Sequence, residues 1–446
     1  MITAIIALSI ICLVLIFFKY DWGIGIYLLF SFLVPFRYLY FGGGVLIGEN
    51  LLSLILLGVL FLWLPNKVGA YRVGLSMITP FLFLFIVQAL FIPFHFSDMP
   101  ILDQFNLFRI DIMRTFLPFI IISLVCYKKR NAALFTNVMY LAIAISTIYG
   151  IFLITMLGQN PYIDIINPIL QYDVRDQDMV LEEGIRAFGY ISSVYPHVTE
   201  YGYFLIFSSV FLIYQLKRDT TIIPKILLGL VLVNVIICGS RSVLLGEAIV
   251  ILVFLIYNRQ FKVILISVIL IAIVWVLLSY FVPQYFLFLK SIGDESANGS
   301  SVNLRIEQFR GCIDSIQNNP IFGNGYSWTG WYRTVIGRHP TMLSFESILI
   351  AILCNNGIMG LIIWGIMVFL VFKQLSKCFH GNKELKRAIT LLLIGYFGYT
   401  LFTGDYGTFQ AMMVFYALIV ANEIGYQNNE KARLVISKYK QKTSVQ

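Results

Sequence analysis

Charge is what this sequence has least of. Of its 446 residues, 12% are Asp, Glu, Lys or Arg, whereas soluble domains carry about a quarter. So few charges cannot cover a water-facing surface, which excludes a soluble globular fold. The six cysteines fall without any CxxC pairing, so neither a disulfide framework nor a metal cage follows from them, and they are expected to pack within helices. There is no Walker loop, dinucleotide fingerprint, zinc motif or nucleophile elbow, so no nucleotide-driven or hydrolytic chemistry is signalled.

What remains is apolar: 59% of residues are hydrophobic and mean hydropathy is +0.84. A helix needs about 20 apolar residues to cross the hydrocarbon core, and open strands are excluded because lipid cannot satisfy unpaired backbone groups. About 13 such segments can be drawn, near 2–18, 22–40, 45–64, 76–94, 111–127, 133–157, 198–216, 222–238, 242–257, 262–282, 344–372, 388–403 and 408–424. The first has no basic residue ahead of it and no small-residue cleavage site behind it, so an uncleaved span is expected. The expectation is one all-α integral membrane domain over 1–446, a polytopic transmembrane helix bundle of about 12–14 spans. Connections dense in Lys and Arg, at 128–130, 217–218, 259–262 and 373–387, face the cytoplasm, as does the basic tail 425–446. Alternation then places two large loops outside, 158–197 and 283–343. The segment 344–372 is long and interrupted by Asn355-Asn356-Gly357, where a half-helix or bend is expected.

This topology sorts the basic residues unevenly. Arg37, Arg109, Arg114, Arg175, Arg186, Arg241, Arg305, Arg310, Arg333 and Arg338 fall outside with the single lysine Lys290, while inside there are 15 Lys and 6 Arg. Either cation serves topology. The planar guanidinium also grips phosphate or carboxylate with two bonds, which points to an anionic ligand on the outer face, plausibly a lipid pyrophosphate. The bland alternative is pairing with outer acids such as Asp173, Asp176, Glu182 and Glu183.

Arg241, in Cys238-Gly239-Ser240-Arg241-Ser242, sits at an outer span end with Glu247 below it, a functional position by default. In the second large loop, Ile306, Phe309, Ile313 and Ile316 recur at helical spacing, predicting an amphipathic helix on the membrane with Arg305 and Arg310 on its polar sides. Asn318-Asn319-Pro320 stops it, and Gly323 and Gly325, ahead of Tyr326, predict a tight turn that permits close backbone approach to a ligand. Glu346 heads the long span, where a carboxylate is costly unless paired or hydrated. It and His339 are rival general bases for a sugar hydroxyl. Asp176-Gln177-Asp178 has the acid-x-acid pattern of metal-dependent sugar transferases, a pattern common in solvated loops.

Gly239 to Ser242, Arg305 followed by NNPIFGNGY, FESILIAILCNNGIMGLIIWG and an earlier RAFGY…YP together resemble the O-antigen ligase and polymerase superfamily of bacterial membranes. The resemblance covers roughly residues 180–370. It implies a helical, GT-C-like glycosyltransferase of the inner membrane that takes glycan from an undecaprenyl pyrophosphate carrier on the outer leaflet, with no metal or other cofactor and no nucleic acid. Arg241 and Arg305 would then clamp the pyrophosphate, Arg186 would contact glycan or phosphate, and flippase and chain-length regulator proteins would be partners. Ligases of the family show His-Asn at the head of the closing span. Here Glu346-Ser347 stands there, with His339 seven residues earlier, which favours a polymerase of O-antigen or capsule repeat units. The rivals are a ligase acting on lipid A core, a lipid-linked oligosaccharide flippase, and a metal-dependent transferase that a chelator would stop.

Overall fold

The computed structural model describes residues 18–33, 68–95, 97–126, 129–156, 159–170, 191–195, 197–259, 301–337, 339, 345–405 and 407–424. The expected spans 45–64 and 262–282, nearly all of 2–18, the tail 425–446, Arg186 and Asp176-Gln177-Asp178 lie outside the described residues. The described chain is helical, with no strand among the described residues. In order come α1 (Tyr20–Leu33), α2 (Val68–Phe91), α3 (Ile101–Asp111), α4 (Leu117–Cys126), α5 (Lys129–Thr155), α6 (Pro161–Leu170), α7 (Val198–Gln215), α8 (Ile223–Ile237), α9 (Arg241–Tyr257), α10 (Ser301–Ile316), the short α11 (Trp328–Trp331), α12 (Ile348–Cys378), α13 (Lys383–Thr403) and α14 (Thr408–Ile424). Of these, α2, α5, α12 and α13 are long and apolar enough to cross a membrane by themselves.

Burial separates two kinds of apolar helix. α7 and α14 are buried almost all round, as expected of central helices in a bundle. Phe204, Phe207 and Phe211 of α7 pack edge-on or tilted against Phe415 of α14. The peripheral helices instead leave apolar stripes uncovered: Ile358, Ile362, Ile366 and Phe369 on α12, Leu141, Ile145, Ile148 and Phe152 on α5. Uncovered stripes at helical spacing on several helices are the reverse of a soluble surface and mark lipid-facing walls.

Charged side chains collect at one end of the bundle. Glu423 is buried between Arg218, whose guanidinium lies over the Tyr214 ring, and the Tyr214 hydroxyl. Glu384 bonds Lys217 (2.8 Å) and Arg387 (3.1 Å). At the other end of α13, Phe402 meets Arg305. Eighteen residues of helix separate Glu384 from Phe402, about 27 Å at 1.5 Å per residue, close to the thickness of the hydrocarbon core. Two polar layers thus lie about one hydrocarbon thickness apart, and the one that holds Arg305 is called the outer layer after the side expected for it from charge.

The expected bend in the long span is a break at Gly357, whose φ of 61° and ψ of −157° are not helical. Breaking a helix strands carbonyls above the break and N–H groups below it. The turn after α10 supplies partners for both. Asn324 and Gly325 donate to the carbonyls of Cys354 and Asn355 (2.9 Å each), and Ile358 and Met359 donate to the carbonyls of Pro320 and Ile321 (3.0 Å each). Irregular backbone is tolerated at membrane depth where protein buries it. The close approach that the sequence suggested for a ligand at Gly323 is therefore occupied by the chain itself: a Cβ there would stand 2.7 Å from the Asn355 carbonyl, and φ is +75°.

Gly323→Val is expected to cost at least the roughly 1–3 kcal/mol of a strained backbone position, read as a lower thermal unfolding midpoint of the purified protein. Gly229→Ala, where a Cβ meets nothing within 4 Å, should be neutral.

Candidate active site

The outer layer is organised by Arg305. α10 exposes Ile306, Phe309 and Ile313 and buries Gln308 and Cys312, so its apolar stripe faces away from the protein, as expected of a helix lying on a membrane. From the border between these faces the Arg305 guanidinium reaches back into the bundle. Its Nη1 donates to Gln308 Oε1 (2.7 Å) and to the Glu346 carbonyl (2.8 Å). Its Nη2 donates to the Glu346 carboxylate (3.2 Å) and the Phe402 carbonyl (2.6 Å). One planar group thus ties the amphipathic helix to the head of α12 and the outer end of α13. Arg305 and Glu346 are partly solvent-exposed, with 35% and 44% of their side chains accessible, so the ion pair itself adds little stability. Its weight is geometric: the four contacts take all four Nη hydrogens of a partly open arginine and leave its Nε–H for a further acceptor.

Glu346 precedes Ser347, the N-cap residue of α12. The carboxylate is both paired and solvent-accessible, which answers the cost that the sequence raised for it. His339 lies in an aromatic cluster, its ring 5.2 Å from Tyr332 and 5.9 Å from Phe345, with Trp328 4.8 Å from Tyr332. His339 Nε2 is 3.0 Å from Ser315 Oγ on α10. Burial lowers its pKa from the usual 6.5, opposed by the nearby charge of Asp314.

The other expected residues are distributed differently. Arg310 is exposed; five residues along a helix turn it about 140° from Arg305, so the two do not converge. Gly325 and Tyr326 face protein: the Tyr326 N–H donates to Gln104 Oε1 (3.0 Å) and its hydroxyl to Asp111 (2.8 Å). Arg241 opens α9, after Gly239 whose φ of 64° makes the reversal from α8. This end of α9 meets the outer end of α13, because Tyr399 bonds Ser242 and donates to the Thr199 carbonyl (2.7 Å). The last two turns of α13 therefore touch both the start of α9 and Arg305.

Two contributors were missed in the sequence. The segment 95–111 braces the turn: His95 Nδ1 and Tyr326 N both meet Gln104 Oε1, Ser97 bonds the Asn324 carbonyl, and the Trp331 indole N–H donates to Asp103 (3.2 Å). Asp405, between α13 and α14, accepts from the Tyr396 hydroxyl (3.0 Å) and the Phe409 N–H (3.1 Å). Solvent reaches it, yet surrounding helices hem it in, and that desolvation raises its carboxyl above the usual range. Its signal was a lone acid in Gly404-Asp405-Tyr406-Gly407 between two apolar runs.

The arrangement is that of a polytopic helical membrane protein with its candidate site residues Arg305, Glu346 and His339 in one polar layer. Residues 202–365 match the model of the O-antigen ligase family, and no curated protein matches the chain. The matched stretch runs from α7 into α12 and contains Gly239 to Ser242, Arg305, the NNPIFGNGY turn and the head of the closing span, in keeping with the resemblance read from the sequence. RAFGY…YP precedes it. The match supports a multi-pass bacterial membrane enzyme of the O-antigen ligase/polymerase type.

Arg305→Lys is expected to keep the protein level in the membrane while lowering glycan transfer roughly 100-fold, the size of effect seen when one preorganised donor to a developing anion is removed. A lysine ammonium cannot hold both Glu346 and Phe402 in a planar fork. Immunoblot and product formation, measured on the same membranes, check it.

Proposed function

We propose that this protein is a polysaccharide polymerase of the inner membrane, joining undecaprenyl-pyrophosphate-linked oligosaccharide repeat units of O-antigen or capsule on the outer face. The observation that carries the reading is Arg305, held by Glu346 and the end of α13 in the outer layer beside the His339 cluster.

In this reading the growing chain leaves its carrier and joins the nonreducing end of the next repeat unit. Departing pyrophosphate is the leaving group, and Arg305, with Arg241 at the start of α9, stabilises the charge that develops on it. Seating both lipid-linked substrates at one membrane-level site turns an encounter into a positioned displacement. His339 is the better base of the two candidates: burial keeps its imidazole neutral near pH 7, whereas the Glu346 carboxylate is engaged with Arg305. Glu346 is then a positioning residue for the guanidinium. Tyr332 and Phe345, both partly exposed and backed by the buried Trp328, offer aromatic faces for the C–H faces of sugar rings. Glu346-Ser347 at the head of α12, in place of the His-Asn of ligases, favours a carrier-linked acceptor over lipid A core.

Two measurements follow. In a strain lacking this gene, the surface glycan ladder is expected to collapse to a single repeat unit on its acceptor; long polymer accumulating on the lipid carrier instead would mean a ligase. The transfer rate should hold steady from pH 8 down to pH 7 and fall only below His339's usual 6.5, since protonation removes the base. His339→Ala should abolish this acid limb with most of the rate, and a profile unchanged in that variant would remove His339 from the mechanism.

A further inference from the structure

Two cysteines that stand 42 residues apart in sequence, Cys312 on α10 and Cys354 on α12, meet in the outer layer. They are 1% and 0% exposed and share a cluster with Met99, Trp328 and Ile350. Their thiols are in hydrogen-bonding contact. Asn324 clamps the two helices beside them, its N–H donating to the Cys354 carbonyl (2.9 Å) and its side-chain amide to the Ser315 carbonyl (2.9 Å), one turn beyond Cys312. Both thiols are free in the structure.

We propose that Cys312 and Cys354 form a disulfide in the cell, stapling the amphipathic helix to the broken part of the closing span and so fixing Arg305 over Glu346. The inference rests on the outer placement of this layer and not on the donor or acceptor of the reaction. Thiols facing an oxidising compartment pair when geometry brings them together, whereas cytoplasmic thiols stay reduced. The oxidant is a disulfide-bearing exchange protein. Because both thiols are buried once α10 has docked, exchange takes place as the layer folds: one cysteine thiolate attacks a sulfur of the oxidant, giving a mixed disulfide, and the other displaces the oxidant as a dithiol, so that two thiols and one disulfide become one disulfide and two thiols. The bond joins the two elements that carry Arg305 and follow Glu346, so its consequence falls on the site.

The test uses the full-length protein in its own membrane. Cells are acid-quenched, denatured in N-ethylmaleimide and digested without reductant, and the peptides are read by mass spectrometry. The expected result is a linked Cys312–Cys354 peptide pair, with Cys378, half-buried near the opposite polar layer, alkylated as the internal control. Dithiothreitol before alkylation should release both thiols and lower the unfolding midpoint of the purified protein. The C312S/C354S variant should show no such drop. Quantitative alkylation of both cysteines in untreated wild-type cells, or an equal effect of dithiothreitol on the double variant, would overturn the proposal.

Discussion

Lipid leaves no backbone hydrogen bond to water, and the outer half of this protein is arranged around that constraint at one place. The closing span breaks at Gly357, and four backbone groups around the break find partners in the turn Pro320 to Gly325. Once that turn is docked, the elements on either side of it are placed. α10 must end at Ile316, just before Asn319-Pro320 meets the span, which carries Arg305 to Glu346 and to the outer end of α13. α11 must begin at Trp328, which seats the aromatic cluster that holds His339. The segment 95–111 seals the arrangement from the side through Gln104 and Asp111. A broken helix costs several unsatisfied groups in lipid unless refilled. Here the refilling fixes a polar layer of otherwise exposed and separate loops.

A second consequence concerns how charge is used. Inside, Glu384 and Glu423 are shared among Lys217, Arg218 and Arg387, an arrangement that pins helix ends. In the other layer Arg305 stands partly open, held through three carbonyl oxygens and, among the described residues, one carboxylate. Carbonyls orient a guanidinium without neutralising it, whereas the Glu346 carboxylate pairs with its charge.

Much of the fold was legible, and for a simple reason. Spans are long periodic apolar runs, and the helices Val198–Gln215, Ile223–Ile237, Arg241–Tyr257 and Lys383–Thr403 fall where hydropathy put them. The break at Asn355-Asn356-Gly357 was readable because a polar triplet with glycine has no place in an uninterrupted span. The site was legible only in part. Glu346, His339 and Arg305 announce themselves as ionisable groups at a membrane boundary, yet nothing local reveals that Arg305 and Glu346, 41 residues apart, share a hydrogen bond. Gly323 was correctly marked as a close approach, but what approaches it is α12, which no local pattern could tell. Gln104 and Asp111 were overlooked because they lie in a mixed polar and apolar stretch that forms no motif, Asp405 because it stands singly between apolar runs, and the thiol pair because Cys354 lies in a span.

The most direct test of the account is reconstitution. Purified full-length protein in liposomes, given an undecaprenyl-pyrophosphate-linked oligosaccharide as its only sugar, is predicted to yield products two, three and more repeat units long, still on the carrier and resolved by mass spectrometry. If no extension occurs until a lipid A core acceptor is added, and the product then appears on that acceptor, the polymerase account is contradicted and the same outer site belongs to a ligase.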